Sequence, residues 1–303
     1  MKISIIGSGA MGSLYGGYLS QKNEVYLLDV WEEHINAINS KGLTIDESDS
    51  SRKVFTPKAF TRAEDIGVSD LVIVFVKSIM TEAAMEANKA LIGKETIVMT
   101  LQNGYGNGED IMKFVPKEQI IIGTTGHGCT MKGPGHIFHA GQGPTHIGAM
   151  GGDQGSALKV AKVLEECGFE THVSDEVFRL VWSKLFVNIG INPVTALLDA
   201  VNSCIVDNPY AKKVARCLVE EAVAVANADG MSFDVDDVFE NVCTVARRTG
   251  ANRSSMLQDV TRRSRTEVMK INGAIVKKAK ELGMEVPYNT MITDMICALE
   301  ETF

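Results

Sequence analysis

The chain has 303 residues, with 38 acidic against 30 basic side chains and a formal net charge of −8. Hydrophobic residues make up 45% and charged residues 22%, the balance of an ordinary globular chain long enough for two domains. The acidic balance argues against general affinity for nucleic acid or an anionic membrane, while leaving room for a local basic pocket that takes an acidic substrate.

The sequence opens on an apolar run, Lys2–Ile6, that feeds Gly7-Ser8-Gly9-Ala10-Met11-Gly12 and then a helical pattern. This is a G-x-G-x-x-G turn in the strand–turn–helix setting of a dinucleotide fingerprint. The first glycine permits the tight turn, the second lets a pyrophosphate approach the backbone, and the third allows close helix–strand packing. The free N–H groups of the helix start favour phosphate. Because the first strand starts at the N-terminus, no signal peptide is expected. The next strand, Glu24–Asp29, ends in an acid, and a carboxylate there accepts hydrogen bonds from the adenosine ribose and repels a 2′-phosphate.

Further apolar runs follow at 71–76, 96–101 and 120–125, nearly continuous as expected of parallel strands covered on both faces. Alternation with helical stretches predicts a doubly wound, Rossmann-type α/β domain. Lys77 ends the run at 71–76 and Gln102-Asn103-Gly104 the run at 96–101, so both lie where doubly wound sheets bind ligands. The segment 126–152 is rich in Gly and His, with strands expected near 136–139 and 145–150. His136 and His139 there fall on opposite faces of a strand, and no metal site is expected.

The periodicity turns helical near residue 174, predicting a dinucleotide-binding domain over 1–173 and an all-helical substrate domain over 174–303. Helices are expected at 175–202, 209–229, 235–249, 263–282 and 288–302, with Gly230, Gly250 and Gly283 as stop signals. Two domains without a long linker are expected to form a cleft. No apolar run is read as approaching the ~20 residues that span a bilayer. The six cysteines are scattered, without C-x-x-C or zinc spacing, and read as reduced thiols of a cytoplasmic protein.

On the first of those helices Lys184, Asn188 and Asn192 recur at i, i+4 and i+8, a polar stripe among apolar neighbours. An ionisable group in such a stripe is a candidate site, because burying it without partners is costly. Pro193 is expected to kink this helix. A second cluster holds Asn252, Ser254, Ser255 and, further on, Glu267. The Asn/Ser run suits a helix start, Glu267 is a possible partner for a buried lysine, and Ser255 a possible contact for a substrate carboxylate.

With these residues assembled, the chain resembles the ketopantoate reductase family over essentially its full length. The resemblance rests on the glycine turn, Val76-Lys77, Gln102-Asn103-Gly104, Thr145-His146-Ile147-Gly148, the run Trp182 to Ala196 with Lys184, Asn188, Asn192 and Pro193, Ser254 to Asp259, and Thr266-Glu267 with Ile271-Asn272-Gly273. It implies reduction of a small 2-keto acid by a nicotinamide cofactor, ketopantoate to D-pantoate in pantothenate biosynthesis. By the same resemblance, Lys184 is the general acid and Glu267 orients it. Asn103, Asn188, Asn192, Asn252 and Ser255 position the substrate, and Asn103 and Lys77 also touch the cofactor.

NADP(H) is the usual cofactor of the family, bound through a basic residue at the end of the second strand. Here that position is Asp29, with no arginine expected nearby, which favours NAD(H). Two alternatives follow: an NAD-dependent D-2-hydroxyacid dehydrogenase for bulky 2-keto acids of the D-mandelate type, and a non-catalytic nucleotide-sensing protein. The helical half has apolar surface enough for a homodimer.

Overall fold

A computed structural model describes residues 1–303, which form two compact units. The first comprises Met1–Gln102 with Asn107–Leu180, the second Asn103–Gly106 with Val181–Phe303.

The first unit begins with β1 (Lys2–Ile6), α1 (Ala10–Leu19), β2 (Glu24–Leu28) and α2 (Glu32–Lys41). Three short strands follow, β3 (Leu43–Glu47), β4 (Arg52–Phe55) and β5 (Lys58–Phe60). The alternation resumes with β6 (Leu71–Val74), α3 (Thr81–Ala87), β7 (Ile97–Thr100), α4 (Asn107–Ile111) and β8 (Ile120–Thr125). The unit is completed by β9 (Gly128–Gly133), β10 (His136–Gly141), β11 (Thr145–Ala149), α5 (Gly155–Glu166) and β12 (Thr171–Val173).

Eight strands form one sheet in the order β12-β11-β8-β7-β6-β1-β2-β5. All neighbours are parallel except β8 and β11. The chain runs outward from β1 through β2 and returns to its other side at β6, so the crevice beyond the ends of β1 and β6 is the topological switch point. The apolar runs at β1, β6 and β7 are buried, as their composition requires. A second sheet, β4-β3-β10-β9, was expected only at its β10 strand. Its β4 is largely exposed and polar, and β3 pairs with β10 across some ninety residues, so neither composition nor local sequence marks it.

The second unit is helical: α6 (Val177–Leu198, whose first turn belongs to the first unit), α7 (Cys204–Asp207), α8 (Pro209–Ala228), α9 (Val235–Arg248), α10 (Ser255–Thr261), α11 (Asn272–Glu281) and α12 (Pro287–Glu300). The core of the second unit is built around α6, where Trp182, Leu185, Phe186 and Ile189 are at most 1% exposed. By length and composition alone, α6 is sufficient to cross a bilayer, which corrects the sequence reading. Most of its apolar stretch is buried within the protein, as in a core helix.

The helix expected over 263–282 is broken. Arg263 has a φ of +51°, Val268–Lys270 form a 3-10 turn, and α11 starts only at Asn272. Asn272 is fully buried and donates to the Asn289 side chain at 3.0 Å, which anchors the new helix start.

Candidate active site

The glycine turn leaves β1 at Gly7, whose φ is +90°; a Cβ there would lie 2.6 Å from the Val76 backbone nitrogen. A Cβ on Gly12 would lie 2.0 Å from the Gly7 carbonyl oxygen, so α1 packs on the turn only because Gly12 has no side chain. At Gly9 a Cβ would meet nothing within 4 Å. That open face at the start of α1 fits a pyrophosphate, with space on the outside and close packing beneath it.

Asp29 directly follows β2, beside this turn. Its carboxylate accepts from the Ser8 backbone N–H at 2.8 Å and from the Trp31 N–H at 3.1 Å. Asp29 and Gly7 line a cavity of about 450 Å³ in the first unit together with Val76, Arg62 and Glu64. Arg62 corrects the expectation that no arginine is near Asp29: it follows β5, which pairs with β2 and brings position 62 back to the same crevice. Arg62 lies 3.6 Å from the Glu64 carboxylate, and both are exposed. The cavity thus carries two carboxylates against one guanidinium.

Lys77 is half-buried and caps the short 3-10 turn Ser78–Met80 after β6. Gln102 fixes this loop, donating to the Val76 carbonyl at 2.6 Å while accepting from Thr100 at 2.8 Å. Its bridging role was not read from sequence, where it stood only as part of a strand-end motif.

In the second unit, Lys184 and Asn188 are half-buried on α6 and Asn192 is 5% exposed. Pro193 lies inside α6 without ending it. Burial pushes the Lys184 ammonium down to about 8, against an opposing upward pull from the Glu267 carboxylate. Glu267 directly precedes the 3-10 turn, so the break in the expected helix is what sets its position.

Asn103 donates to Glu267 Oε2 at 3.5 Å. The segment carrying Asn103 is seated by Tyr105, whose N–H donates to the Lys270 carbonyl at 2.8 Å. Gly104, with a φ of +90°, passes so close that a Cβ would lie 2.5 Å from that same oxygen. Only glycine fits both the dihedral and the contact.

Asn192 donates to Ser255 Oγ at 3.4 Å. Ser254, in the Asn/Ser run expected to start a helix, does so: its hydroxyl caps α10 through the Leu257 N–H. The sequence did not show that it also lies 2.7 Å from the Thr195 hydroxyl of α6. Ser255 is exposed at the first position of α10. Asn252 is also exposed, with its carbonyl accepting from the Asn202 N–H at 2.9 Å. The structure therefore joins Lys184, Glu267 and Asn103 in one cluster and Asn192 with Ser255 in another, along the same helix.

The histidines of 127–146 serve the sheets. His139 is buried between Glu47, at 2.8 Å, and His127, at 2.9 Å, and His136 lies 2.8 Å from Asp46. Cys129 is held protonated by burial, which pushes its thiol up to about 12.

Residues 3–152 match the family described as ketopantoate reductase PanE/ApbA, and residues 176–300 match the C-terminal part of that family. The chain is 38% identical to a 2-dehydropantoate 2-reductase of Pyrococcus abyssi, covering 98% of this chain and 97% of the relative. It is 36% identical to one of Halobacterium salinarum, covering 98% of each. Among solved structures, it is similar to D-mandelate dehydrogenase in a ternary structure with NADH and anilino(oxo)acetate. That match has a TM-score of 0.94 at 32% identity and covers 100% of this chain and 99% of the other. A PanE/ApbA family ketopantoate reductase from Ralstonia eutropha matches with a TM-score of 0.91 at 29% identity, with the same coverage. The chain belongs to the ketopantoate reductase PanE/ApbA family.

Proposed function

We propose that this protein is an oxidoreductase that reduces the 2-keto group of 2-dehydropantoate, giving D-pantoate, with NADH as the preferred nicotinamide cofactor. The observation that carries the reading is Lys184: a cation on a core helix, its acidity strengthened by burial and its charge balanced by Glu267. The curated relatives named 2-dehydropantoate 2-reductase, similar along almost the whole chain, support the substrate.

When bound, the nicotinamide supplies the hydride. Hydride addition at C2 places negative charge on the keto oxygen, and Lys184 donates the proton that neutralises it. An acid with its pKa near the working pH suits this step. Glu267 keeps Lys184 charged and oriented, and is itself held by Asn103. Asn188, Asn192 and Ser255 present amide and hydroxyl groups for the substrate carboxylate and its hydroxyl, with Asn252 nearby in sequence at the start of the same segment. Gly7 to Gly12 cradle the pyrophosphate, Lys77 meets the adenosine side, and Asp29 takes the ribose hydroxyls.

A second reading is an NAD-dependent D-2-hydroxyacid dehydrogenase. It is favoured by Asp29 and by the likeness to D-mandelate dehydrogenase with NADH. The same Lys184 and Glu267 would serve it. Exposed apolar side chains on α8 and α12, among them Tyr210 and Met291, offer surface for a homodimer.

The test is turnover. Purified protein should oxidise NADH when given ketopantoate, and Lys184→Ala should abolish that rate while leaving NADH binding intact. Equal rates in the two proteins would refute the assignment of Lys184.

A further inference from the structure

Behind the glycine turn lies a buried polar chain that the reaction chemistry leaves unused. His34, on α2, is fully buried, and so is Ser13 on α1. His34 Nδ1 accepts from the backbone N–H of Gly135, in the turn between β9 and β10, at 3.0 Å. A backbone N–H only donates, so Nδ1 carries no proton and the neutral ring has its hydrogen on Nε2. Nε2 lies 3.2 Å from Ser13 Oγ and donates to it. The Ser13 hydroxyl in turn donates to the Ser8 carbonyl at 2.7 Å. Every hydrogen in this sequence has one direction: Gly135 to His34, His34 to Ser13, Ser13 to Ser8.

The last link bears on the dinucleotide. In a trans peptide the carbonyl and the following N–H point in opposite directions. Holding the Ser8 carbonyl inward therefore aims the Gly9 N–H outward, toward the face where a Cβ on Gly9 would meet nothing within 4 Å. The N–H of Ser8 is held separately by Asp29 at 2.8 Å. The two peptide groups flanking Ser8 are thus fixed from opposite sides.

We propose that His34 is a positioning residue for dinucleotide binding: through Ser13 it locks the Ser8–Gly9 peptide so that its N–H faces the pyrophosphate. The proposal rests on the reading of the first unit as a nicotinamide-dinucleotide site. The ring works only when neutral, since a proton on Nδ1 would face the Gly135 N–H. Burial holds the imidazole below its usual range. It outweighs the upward pull of the Asp29 carboxylate, the one charged group acting on the ring, and of a direct hydrogen bond to the Ser8 backbone, which supplements the link through Ser13. Trp31 covers the other side, stacked on the ring at 5.1 Å. The remaining groups packed around it, Ser13 and the backbone of Ser8 and Gly135, carry no charge.

The experiment is direct binding of NADH and of NADPH by calorimetry to the wild type, Ser13→Ala, His34→Phe and the double variant, alongside thermal melts. Ser13→Ala removes the link without disturbing the ring, which guards against a His34→Phe protein that fails to fold. The expected result is an NADH Kd weakened about three- to tenfold in Ser13→Ala, the loss of one well-placed hydrogen bond. The double variant should bind no more weakly than the weaker single one, because both cut one chain. With saturating NADH, kcat should stay within about twofold of wild type, and the wild-type Kd should weaken as acid protonates His34. An unchanged Kd in Ser13→Ala overturns the proposal, as does a melting temperature that falls while Kd holds. A wild type that binds neither dinucleotide overturns the cofactor reading together with this one. A wild type that binds, with variants that bind equally well, overturns this one alone.

Discussion

Asn103 and Glu267 meet at 3.5 Å although 164 positions separate them in the chain. The contact is made possible by a glycine with positive φ on one side and a broken helix on the other. It makes Glu267 a carboxylate with two duties: holding Asn103 and keeping Lys184 charged. Glu267→Gln should therefore lower kcat by on the order of tenfold or more and also move the pH profile. Glu267 raises the Lys184 pKa, so its loss should shift the alkaline limb of kcat to lower pH. A variant whose limb stays in place would separate Glu267 from Lys184.

Lys184 itself should show the cost of an acid inside a core. Its pKa is pushed down to about 8 from 10.5, so between those values the unfolded chain binds more protons than the folded one, and stability rises with pH across that window. Below about pH 8 the buried charge is a standing penalty. Lys184→Met should therefore raise unfolding stability at pH 7 by about 1–2 kcal/mol, after allowance for its partial exposure, while reducing kcat by on the order of 10²–10⁴-fold. Chemical denaturation at pH 7 and at pH 10 checks this, and the gain should shrink at the higher pH.

Much of this was legible in sequence. The glycine turn and the stripe Lys184, Asn188, Asn192 needed only spacing and apolar context, because strand–turn–helix order and helix periodicity are local properties. What escaped depends on chain segments meeting. Arg62 reaches the Asp29 crevice through a three-residue strand, β5, too short to read. The small sheet hid because β3 pairs with β10 and β4 is polar. The break before α11 lies in backbone dihedrals at Arg263 and Ile271, residues whose types do not announce it. The anchoring by Ser254 and Thr195, and the His34 chain, join elements distant in sequence.

The second and third glycines of the turn should separate binding from stability. Gly12→Ala drives a methyl against the Gly7 carbonyl and should destabilise the fold by about 1–3 kcal/mol. Gly9→Ala meets no protein atom, so it should melt within about 2 °C of wild type while losing NADH affinity at least about tenfold. Melting curves and NADH titration on the two variants decide it, and an affinity loss in neither would remove the pyrophosphate from this turn.

Asp29 should set the cofactor ratio, with a complication introduced by its hydrogen bonds. Asp29→Asn keeps an acceptor for only one of the Ser8 and Trp31 N–H groups, which the two carboxylate oxygens hold separately, but removes the charge that repels a 2′-phosphate. The NADPH to NADH ratio of kcat/KM should rise by about tenfold, with Arg62 then available to the phosphate. Arg62→Ala in that background should reverse most of the gain. An unaltered ratio in Asp29→Asn would show that Asp29 does not discriminate.

The most direct test of the account is a set of initial rates for the purified protein on ketopantoate and on benzoylformate, each with NADH and with NADPH. A kcat/KM at least tenfold higher for ketopantoate, with NADH ahead of NADPH, is the predicted result. A preference for benzoylformate with NADH would contradict the ketopantoate assignment and make the protein a D-2-hydroxyacid dehydrogenase built on the same residues.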